Sequence, residues 1–199
     1  MLELQSQPYD IVIHELPQDH PPALSEPVRY SHTITIGEYL FVHKVVQVFH
    51  QGQMIASCLF SSDLGVGAHE HSAVTIEQTC FIAVAQFVFA LELPHLNVQW
   101  KAAVDPSECF GVYVLAEADG LITHGEQDIA RLAFDGTLIW SASGKDIFSN
   151  GIALEADHVA VVDFAGERYQ IDNRTGEIKL VQTKNHLISR LLPWRKPAG

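Results

Sequence analysis

Two stretches of this sequence can be aligned with each other: Phe134-Asp135-Gly136-Thr137-Leu138-Ile139-Trp140 and Arg174-Thr175-Gly176-Glu177-Ile178-Lys179-Leu180. Their glycines lie at positions 136 and 176, so the spacing is 40 residues. One spacing upstream, Val98 and Trp100 hold the two apolar positions, while Leu96 stands where the glycine would be. A spacing near 40 residues is typical of a repeat built from four short strands. The stretch 97–180 therefore decides the fold.

Working outward from this stretch, strand and turn signals alternate from residue 28 to residue 182. They divide into four units, which we expect at Val28–Phe60, Val74–Val104, Phe110–Ser143 and Ile152–Gln182. The polar, glycine-rich stretch 61–72 separates the first two and fits an insertion of about four residues into the repeat, which marks a loop. The predicted fold class is all-β, with about four four-stranded antiparallel units.

The run Cys80–Leu93 is nearly all apolar and could form either a helix or two buried strands. Its length permits a helix. Its many β-branched and aromatic residues favour strands, as does the turn that interrupts the corresponding run of the next unit. We therefore predict two strands.

The ends of the chain differ from the repeats. Residues 1–27 are predicted to hold one strand, Tyr9–Leu16, after an irregular start at 1–7 and before a proline-rich connection. Residues 28–182 would form the repeat domain. Residues 183–199 form a basic tail, in which Leu187, Ile188, Leu191 and Leu192 could share one face of a short helix.

Charge is distributed unevenly along the chain. The net charge of −12 divides into 8 basic and 24 acidic residues up to Gln182, or −16, and a tail of +4. An acidic body repels phosphate backbones, so the sequence argues against nucleic-acid binding and is compatible with a basic protein partner.

The sequence also predicts the compartment. Cys58, Cys80 and Cys109 lie far apart in or beside apolar runs, which indicates buried free thiols in a reducing environment. The first residues lack a signal-peptide pattern, and no apolar run reaches the ~18 residues that a membrane span requires. We expect a cytoplasmic protein with no membrane contact.

The stretch Tyr169–Ile178 resembles the repeat of quinoprotein-type (PQQ-like) β-propellers, and more loosely the WD-like ones. In the PQQ-like repeat a strand ends in Leu-Asp, a Thr-Gly turn follows, and a tryptophan comes four residues after the glycine. Asp172, Thr175 and Gly176 match this pattern, and Trp140 supplies the tryptophan in unit three. The resemblance is clearest over residues 110–182 and implies four-stranded blades around an axis, with the tryptophan docked between neighbouring blades. It implies no cofactor, because no cofactor ligand of those enzymes can be matched.

Four units make a small or partial propeller, and an open arc would leave a blade face exposed at each end. Three solutions stay open from the sequence. The strand Tyr9–Leu16 could complete the last blade, the C-terminal helix could cap one end, or a second copy could form a homodimer.

Few residues suggest chemistry. His69 and His71, at i and i+2 in the stretch 61–72, could ligate a metal. His43, His124 and Asp163 fall in the second strands of three units and could meet near the axis as catalytic groups. Cys109 and the serines lack the context of a nucleophile.

From these observations we expect a non-enzymatic protein-binding module, for example an immunity or adaptor protein for a basic partner. The alternative is a small hydrolase or lyase that uses the axial histidines and aspartate.

Overall fold

The computed structural model describes residues 1–16, 30–115 and 120–181. These residues form strands and no helix, so the predicted all-β class is confirmed for them. The strands are β1 (Leu2–Ser6), β2 (Tyr9–Glu15), β3 (His32–Ile36), β4 (Val42–His50), β5 (Gln53–Ser62), β6 (Ala73–Ile76), β7 (Thr79–Val84), β8 (Phe87–Glu92), β9 (Asn97–Ala103), β10 (Cys109–Leu115), β11 (Gly120–Gly125), β12 (Asp128–Ala133), β13 (Leu138–Ser143), β14 (Ile152–Leu154), β15 (His158–Val162), β16 (Arg168–Asp172) and β17 (Ile178–Leu180).

The strands form four sheets that follow one another along the chain in a propeller-like array. Three sheets are antiparallel meanders of four consecutive strands: β6 to β9, β10 to β13, and β14 to β17. The first strands of neighbouring sheets lie beside one another, β1 next to β6 and β6 next to β10. We call the four sheets blades one to four.

Blade one differs from the prediction. Its strand order is β1-β2-β4-β5-β3, so the meander consists of β1, β2, β4 and β5. Strand β3 is an insertion that pairs in parallel with β5 at the sheet edge. Residues 1–7, expected to be irregular, contain β1, and the blade therefore begins before residue 28.

The strand expected at Tyr9–Leu16 is confirmed as β2, but it does not complete the last blade. It pairs with β4 inside blade one, from Asp10 opposite Phe49 to Glu15 opposite Lys44. That solution to the open array is therefore wrong. The proline-rich connection at 17–27 and the C-terminal helix lie outside the described residues.

The run Cys80–Leu93 forms two strands, as predicted. β7 and β8 pair antiparallel from Thr79 opposite Glu92 to Val84 opposite Phe87. Ala85, with φ of 51°, and Gln86 form the turn between them. The β-branched and aromatic side chains pack on both faces of the sheet, which explains the absence of polar alternation.

Three buried clusters hold the array together, and each lies between two successive blades. The first joins blades one and two through side chains such as Phe60 and Phe89. The second joins blades two and three around Phe81 and Leu121, and the third joins blades three and four around Ile122 and Val161. Within 1–16, 30–115 and 120–181, no buried cluster joins blade four to blade one.

A tryptophan in the last strand of one blade docks on the turn of the next. The indole Nε1–H of Trp100 donates to the carbonyl oxygen of Phe134 at 3.0 Å. That of Trp140 donates to the carbonyl oxygen of Asn173, also at 3.0 Å. A Cβ atom added to Gly136 or Gly176 would lie 2.7 Å from the ring of Trp100 or Trp140. Both glycines have positive φ, a conformation that favours glycine. The spacing of 40 residues in the sequence is therefore the distance between successive docking turns.

The docking depends on a β-bulge that the repeat pattern does not reveal. In blade three Leu132 pairs with Leu138 and Arg131 pairs with Trp140, which leaves Ile139 as the extra residue. Blade two has the same irregularity at Gln99, and blade one at Ile55. Because facing alternates along a strand, the extra residue turns the tryptophan towards the next blade.

Blade four lacks this bulge. Ile171, Gln170 and Tyr169 pair in unbroken register with Ile178, Lys179 and Leu180. Leu180 therefore shares the face of buried Tyr169, and Lys179 shares the opposite face with exposed Gln170. Leu180 matches Trp140 in sequence but not in orientation. The outer face of blade four is polar at these two positions.

Between blades one and two the small residue lies on the strand and the large residue lies on the turn, the reverse of the tryptophan–glycine contact. Ala56 follows the bulge of blade one at the position of the tryptophan, and Leu96 holds the glycine position of blade two with φ of 62°. Both side chains are buried in the same cluster. A large side chain on the turn thus accompanies a small one on the strand, which conserves the volume of the contact.

Replacing Gly176 by Ala tests the docking. Gly176 and Gly166 both have positive φ, 73° and 84°, but a Cβ atom at Gly166 meets nothing within 4 Å. We expect Gly166→Ala to cost about 1 kcal/mol of unfolding free energy through backbone strain alone. Gly176→Ala should cost at least about 2 kcal/mol more, because Trp140 must also move. Urea unfolding of both variants measures the difference, and equal losses would contradict the docking role.

Candidate functional site

The predicted site residues lie along one edge of the array. At this edge β4 and β10 begin and β5, β7 and β11 end, as shown by the pairs Val42–Ser62 and Cys109–Gly125. The backbone N–H of Cys109 also donates to the carbonyl oxygen of Ala85, in the turn after β7, at 2.7 Å. We call this edge the rim.

His43 and Lys44 lie near the start of β4 at the rim, and both are buried. The Nδ1 atom of His43 lies 3.0 Å from the hydroxyl oxygen of Ser61, its pairing partner on β5. The ammonium of Lys44 donates to the carbonyl oxygen of Ala83 at 3.2 Å. Burial lowers the pKa of Lys44, and the negative charges of Glu15 and Glu108 partly oppose that change. These bonds fix the base of β4 against β5 and blade two.

His69 and His71 lie in the connection between blades one and two. The Nε2 atom of His69 is 2.7 Å from the carbonyl oxygen of Phe110, and its Nδ1 accepts the backbone N–H of His71 at 3.2 Å. The ring of His71 packs on Tyr113, with centroids 4.6 Å apart. Among the described residues no group of three or more histidine, cysteine, aspartate or glutamate side chains could hold a metal. Metal binding by the two histidines stays a prediction.

His124 lies at the end of β11 and is fully enclosed. Its Nε2 atom is 2.9 Å from the carbonyl oxygen of Phe148, which links blade three to the connection before blade four. Burial lowers the pKa of His124 to about 4; the hydrogen bond to Phe148 opposes this change, and electrostatic repulsion by His69 and His71 adds to it. Its ring also meets Phe110 edge-on, with centroids 5.4 Å apart. The structure thus brings the histidine predicted as catalytic close to the two predicted as metal ligands.

Asp163 belongs to a separate group in blade four. Its carboxylate accepts the hydroxyl of Tyr169 and the backbone N–H of Glu167, both at 2.8 Å. None of the described hydrogen bonds joins Asp163 to His43 or His124. Instead, His43 braces blade one, His124 joins blade three to the connection that follows it, and Asp163 braces blade four.

Sequence reasoning missed a group of acidic residues at the start of β10. Asp105 is buried and accepts four backbone N–H groups, two across the loop at Ser107 and Glu108 and two from the turn at Gln127 and Asp128. The carboxyl of Glu108 has one buried oxygen without a hydrogen-bond partner. Burial, followed by the charge of Glu126, raises the pKa of Glu108. No spacing in the sequence indicates this group, because its members meet only through the turn between β11 and β12.

The three cysteines are free and buried, as predicted. Burial raises the pKa of Cys58, Cys80 and Cys109 to about 12. A thiol that stays protonated is a poor nucleophile, so these residues pack as small apolar side chains.

The most exposed apolar feature of the rim is the segment between β3 and β4. Tyr39, Leu40 and Phe41 are 66%, 38% and 62% exposed, and nearby Leu64 is 45% exposed. The rings of Tyr39 and Phe41 stack at 8°, with centroids 6.3 Å apart. The sequence predicts a strand from Tyr39, but β4 begins at Val42, so the aromatic residues precede the sheet and face solvent.

Two carboxylates flank this segment. Glu38 is exposed and precedes Tyr39, and Asp63 is half-buried at the end of β5. The backbone N–H of Asp63 donates to the carbonyl oxygen of Ile36 at 3.3 Å. A Cβ atom at Gly37 would lie 2.1 Å from the Asp63 carboxylate, so the carboxylate lies directly on that glycine. We call residues 37–41 with Asp63 and Leu64 the aromatic rim segment.

Comparison with known proteins assigns the chain to no family. No protein-family model matches it, and no curated protein is similar to it. Among solved structures, it is similar to the computationally designed Ika8 protein, with 10% identity and a TM-score of 0.49 over 71% of this chain and 46% of Ika8. It is also similar to BamB from Moraxella catarrhalis, with 14% identity and a TM-score of 0.45 over 67% of this chain and 41% of BamB. The chain thus spans less than half the length of either protein.

A third similar structure is the designed Ika4 protein, with 10% identity and a TM-score of 0.45 over 61% of this chain and 77% of Ika4. The four sheets themselves define the class: an all-β, propeller-like array. Among the residues that the structure describes, no helix has the length and apolarity needed to cross a membrane.

The buried state of His124 predicts a pH dependence of stability. Its pKa is about 4 in the folded chain against an ordinary value of 6.5, so the unfolded chain binds the proton more readily. Stability is therefore retained above pH 6.5 and lost as pH falls towards 4, by at most about 3 kcal/mol from this group. We expect His124→Gln to weaken the pH dependence of the unfolding free energy in this window. His95→Gln, at an exposed histidine, should leave it unchanged, and identical pH profiles for wild type and His124→Gln would contradict this role.

Proposed function

We propose that this chain is a non-enzymatic protein-binding module of the propeller-like class, with the aromatic rim segment as its binding surface. The observation that carries the proposal is the exposed stacked pair Tyr39 and Phe41. Large aromatic side chains are costly to leave in water and are enriched at the centres of protein interfaces. Here the pair is held on a rigid scaffold, since β3 and β4 both pair with β5.

The charge around the segment supports a basic partner. Residues 30–115 contain seven acidic side chains and two lysines, and one of these lysines, Lys44, is buried. The free surface of blades one and two is therefore acidic. Such a field attracts a cationic protein and accelerates its association, most strongly at low salt.

The finer form of the proposal is an immunity or adaptor protein that neutralises a basic partner in the cytoplasm. The size of the chain, its acidic body and its free thiols support this form. Membership of the PQQ-like type rests on the turn and tryptophan positions quoted from the sequence. A homodimer is a further expectation, and a mass of twice 22.0 kDa in light scattering would support it.

A hydrolase or lyase at the axis is the alternative, and the bonding of its candidate residues opposes it. His43, His124 and Asp163 each bond within their own surroundings rather than to one another. A catalytic base needs a partner group or a substrate within hydrogen-bond reach. The protein-binding proposal requires no such convergence.

Binding can be tested with paired serine variants. We expect Tyr39→Ser/Phe41→Ser to weaken binding to a purified basic partner at least about tenfold, because both aromatic anchors are lost. The matched control is Phe164→Ser, which removes a phenylalanine of similar exposure, 67%, in blade four. Binding is measured by calorimetry with the full chain at two salt concentrations.

The control variant should bind as wild type does, and added salt should weaken binding in both. Equal affinity of wild type and the double variant would refute the aromatic rim segment as the binding surface. Affinity that does not change with salt would refute the electrostatic part alone.

A further inference from the structure

We propose that the aromatic rim segment is an arginine-binding site: an exposed face of the stacked Tyr39–Phe41 pair takes the planar guanidinium of one arginine side chain, and the Asp63 and Glu38 carboxylates take its N–H groups. This inference rests on the proposed function and names the chemistry that the basic partner would present. It is carried by ring geometry, by the placement of one carboxylate and by the charge of the surface.

The two rings offer parallel faces to a planar group. Their planes differ by 8° and their centroids are 6.3 Å apart. A guanidinium stacked on an exposed ring face lies within the roughly 6 Å of the centroid over which a ring attracts a cation. A guanidinium is flat and weakly hydrated and stacks on aromatic faces, whereas an ammonium is compact and strongly hydrated.

The backbone holds the pair in this arrangement. Tyr39 and Phe41 are two residues apart, and the N–H of Phe41 donates to the carbonyl oxygen of Tyr39 at 3.1 Å. Strand β4 begins directly after Phe41. The 3.0 Å contact between His43 Nδ1 and the Ser61 hydroxyl holds the start of β4 against β5. Both rings are thus supplied by a short segment that is anchored on each side, so little ordering is needed on binding.

Asp63 is placed in advance as an acceptor. Its backbone N–H donates to the carbonyl oxygen of Ile36, and its carboxylate lies on Gly37. A Cβ atom at position 37 would collide with that carboxylate. Gly37 also has φ of 89°, a conformation that favours glycine. Among the described residues, no ion pair uses Asp63 or Glu38. A carboxylate that accepts two parallel N–H bonds from a guanidinium forms one of the stronger charged contacts in proteins.

The test uses the full-length chain, isotope-labelled, and two peptides of equal charge, acetyl-Ser-Arg-Ser-Arg-Ser-amide and the same peptide with lysine. Chemical shifts of Tyr39, Phe41 and Asp63 are followed during titration. We expect the arginine peptide to bind about fivefold more tightly than the lysine peptide and to shift these three residues.

Two variants separate the stacking from the apolar contact. Tyr39→Leu/Phe41→Leu keeps apolar side chains but removes the ring faces, and it should abolish the preference for arginine. Phe164→Leu is the matched control and should keep the preference. Asp63→Asn should weaken the arginine peptide more than the lysine peptide, since only a guanidinium makes the paired bonds.

Equal binding of the two peptides, shifts located elsewhere, or a preference that survives Tyr39→Leu/Phe41→Leu would each overturn the arginine site. If the two peptides bind equally but Tyr39→Ser/Phe41→Ser still weakens binding of the basic partner, the arginine site is overturned and the protein-binding proposal stands. If Tyr39→Ser/Phe41→Ser binds both the partner and the arginine peptide as wild type does, both proposals are overturned.

Discussion

The indole of one blade resting on the turn glycine of the next is the contact on which this array depends. It joins a hydrogen bond, Trp100 to Phe134 or Trp140 to Asn173, to a close approach that only a missing side chain permits. Large aromatic rings bury ~150–250 Å², so each docking also closes the outer part of a blade contact. Two buried clusters continue these contacts towards the inner strands. The third cluster joins blades one and two, where Ala56 and Leu96 take the places of tryptophan and glycine.

Much of this could be predicted from the sequence, because the docking leaves a local signature. A glycine in a tight turn and an apolar residue four positions later recur at a fixed spacing, and the strands between them follow from β-branched and aromatic runs. The pair β7 and β8 could be predicted for that reason. Strand β1, the hairpin partner of β2, was not predicted, although Leu2 and Leu4 alternate with polar residues. The strand at Tyr30–Ile36 was predicted and is β3, but its parallel pairing with β5 could not be, because that pairing is long-range.

The candidate site was less predictable. His43, His124 and Asp163 are predicted in the second strands of three units, which is right only for His124 in β11. His43 lies in β4, the third strand of the meander in blade one, and Asp163 follows β15. Each is braced by a neighbour that no motif indicates. Tyr39 and Phe41 read as strand residues, because they begin the β-branched and aromatic run Tyr39–Val48. Whether such a segment pairs or stays in solvent depends on where β4 meets β5, and that register is a tertiary property.

The missing bulge in β17 has a consequence for how long such a chain can grow. In blades one to three an extra residue directs one side chain at the following blade, and in blade four the register runs unbroken. Leu180 follows Gly176 by four residues, as Trp140 follows Gly136, so the difference lies in the register between β16 and β17 and not in the length of the strand. A second copy of blade three would bring both the turn glycine, Gly136, and the outward-facing indole, Trp140. A second copy of blade four would bring only the turn glycine, Gly176. A further blade packed on blade four would therefore need a contact other than the indole-on-glycine contact that joins blade two to blade three and blade three to blade four.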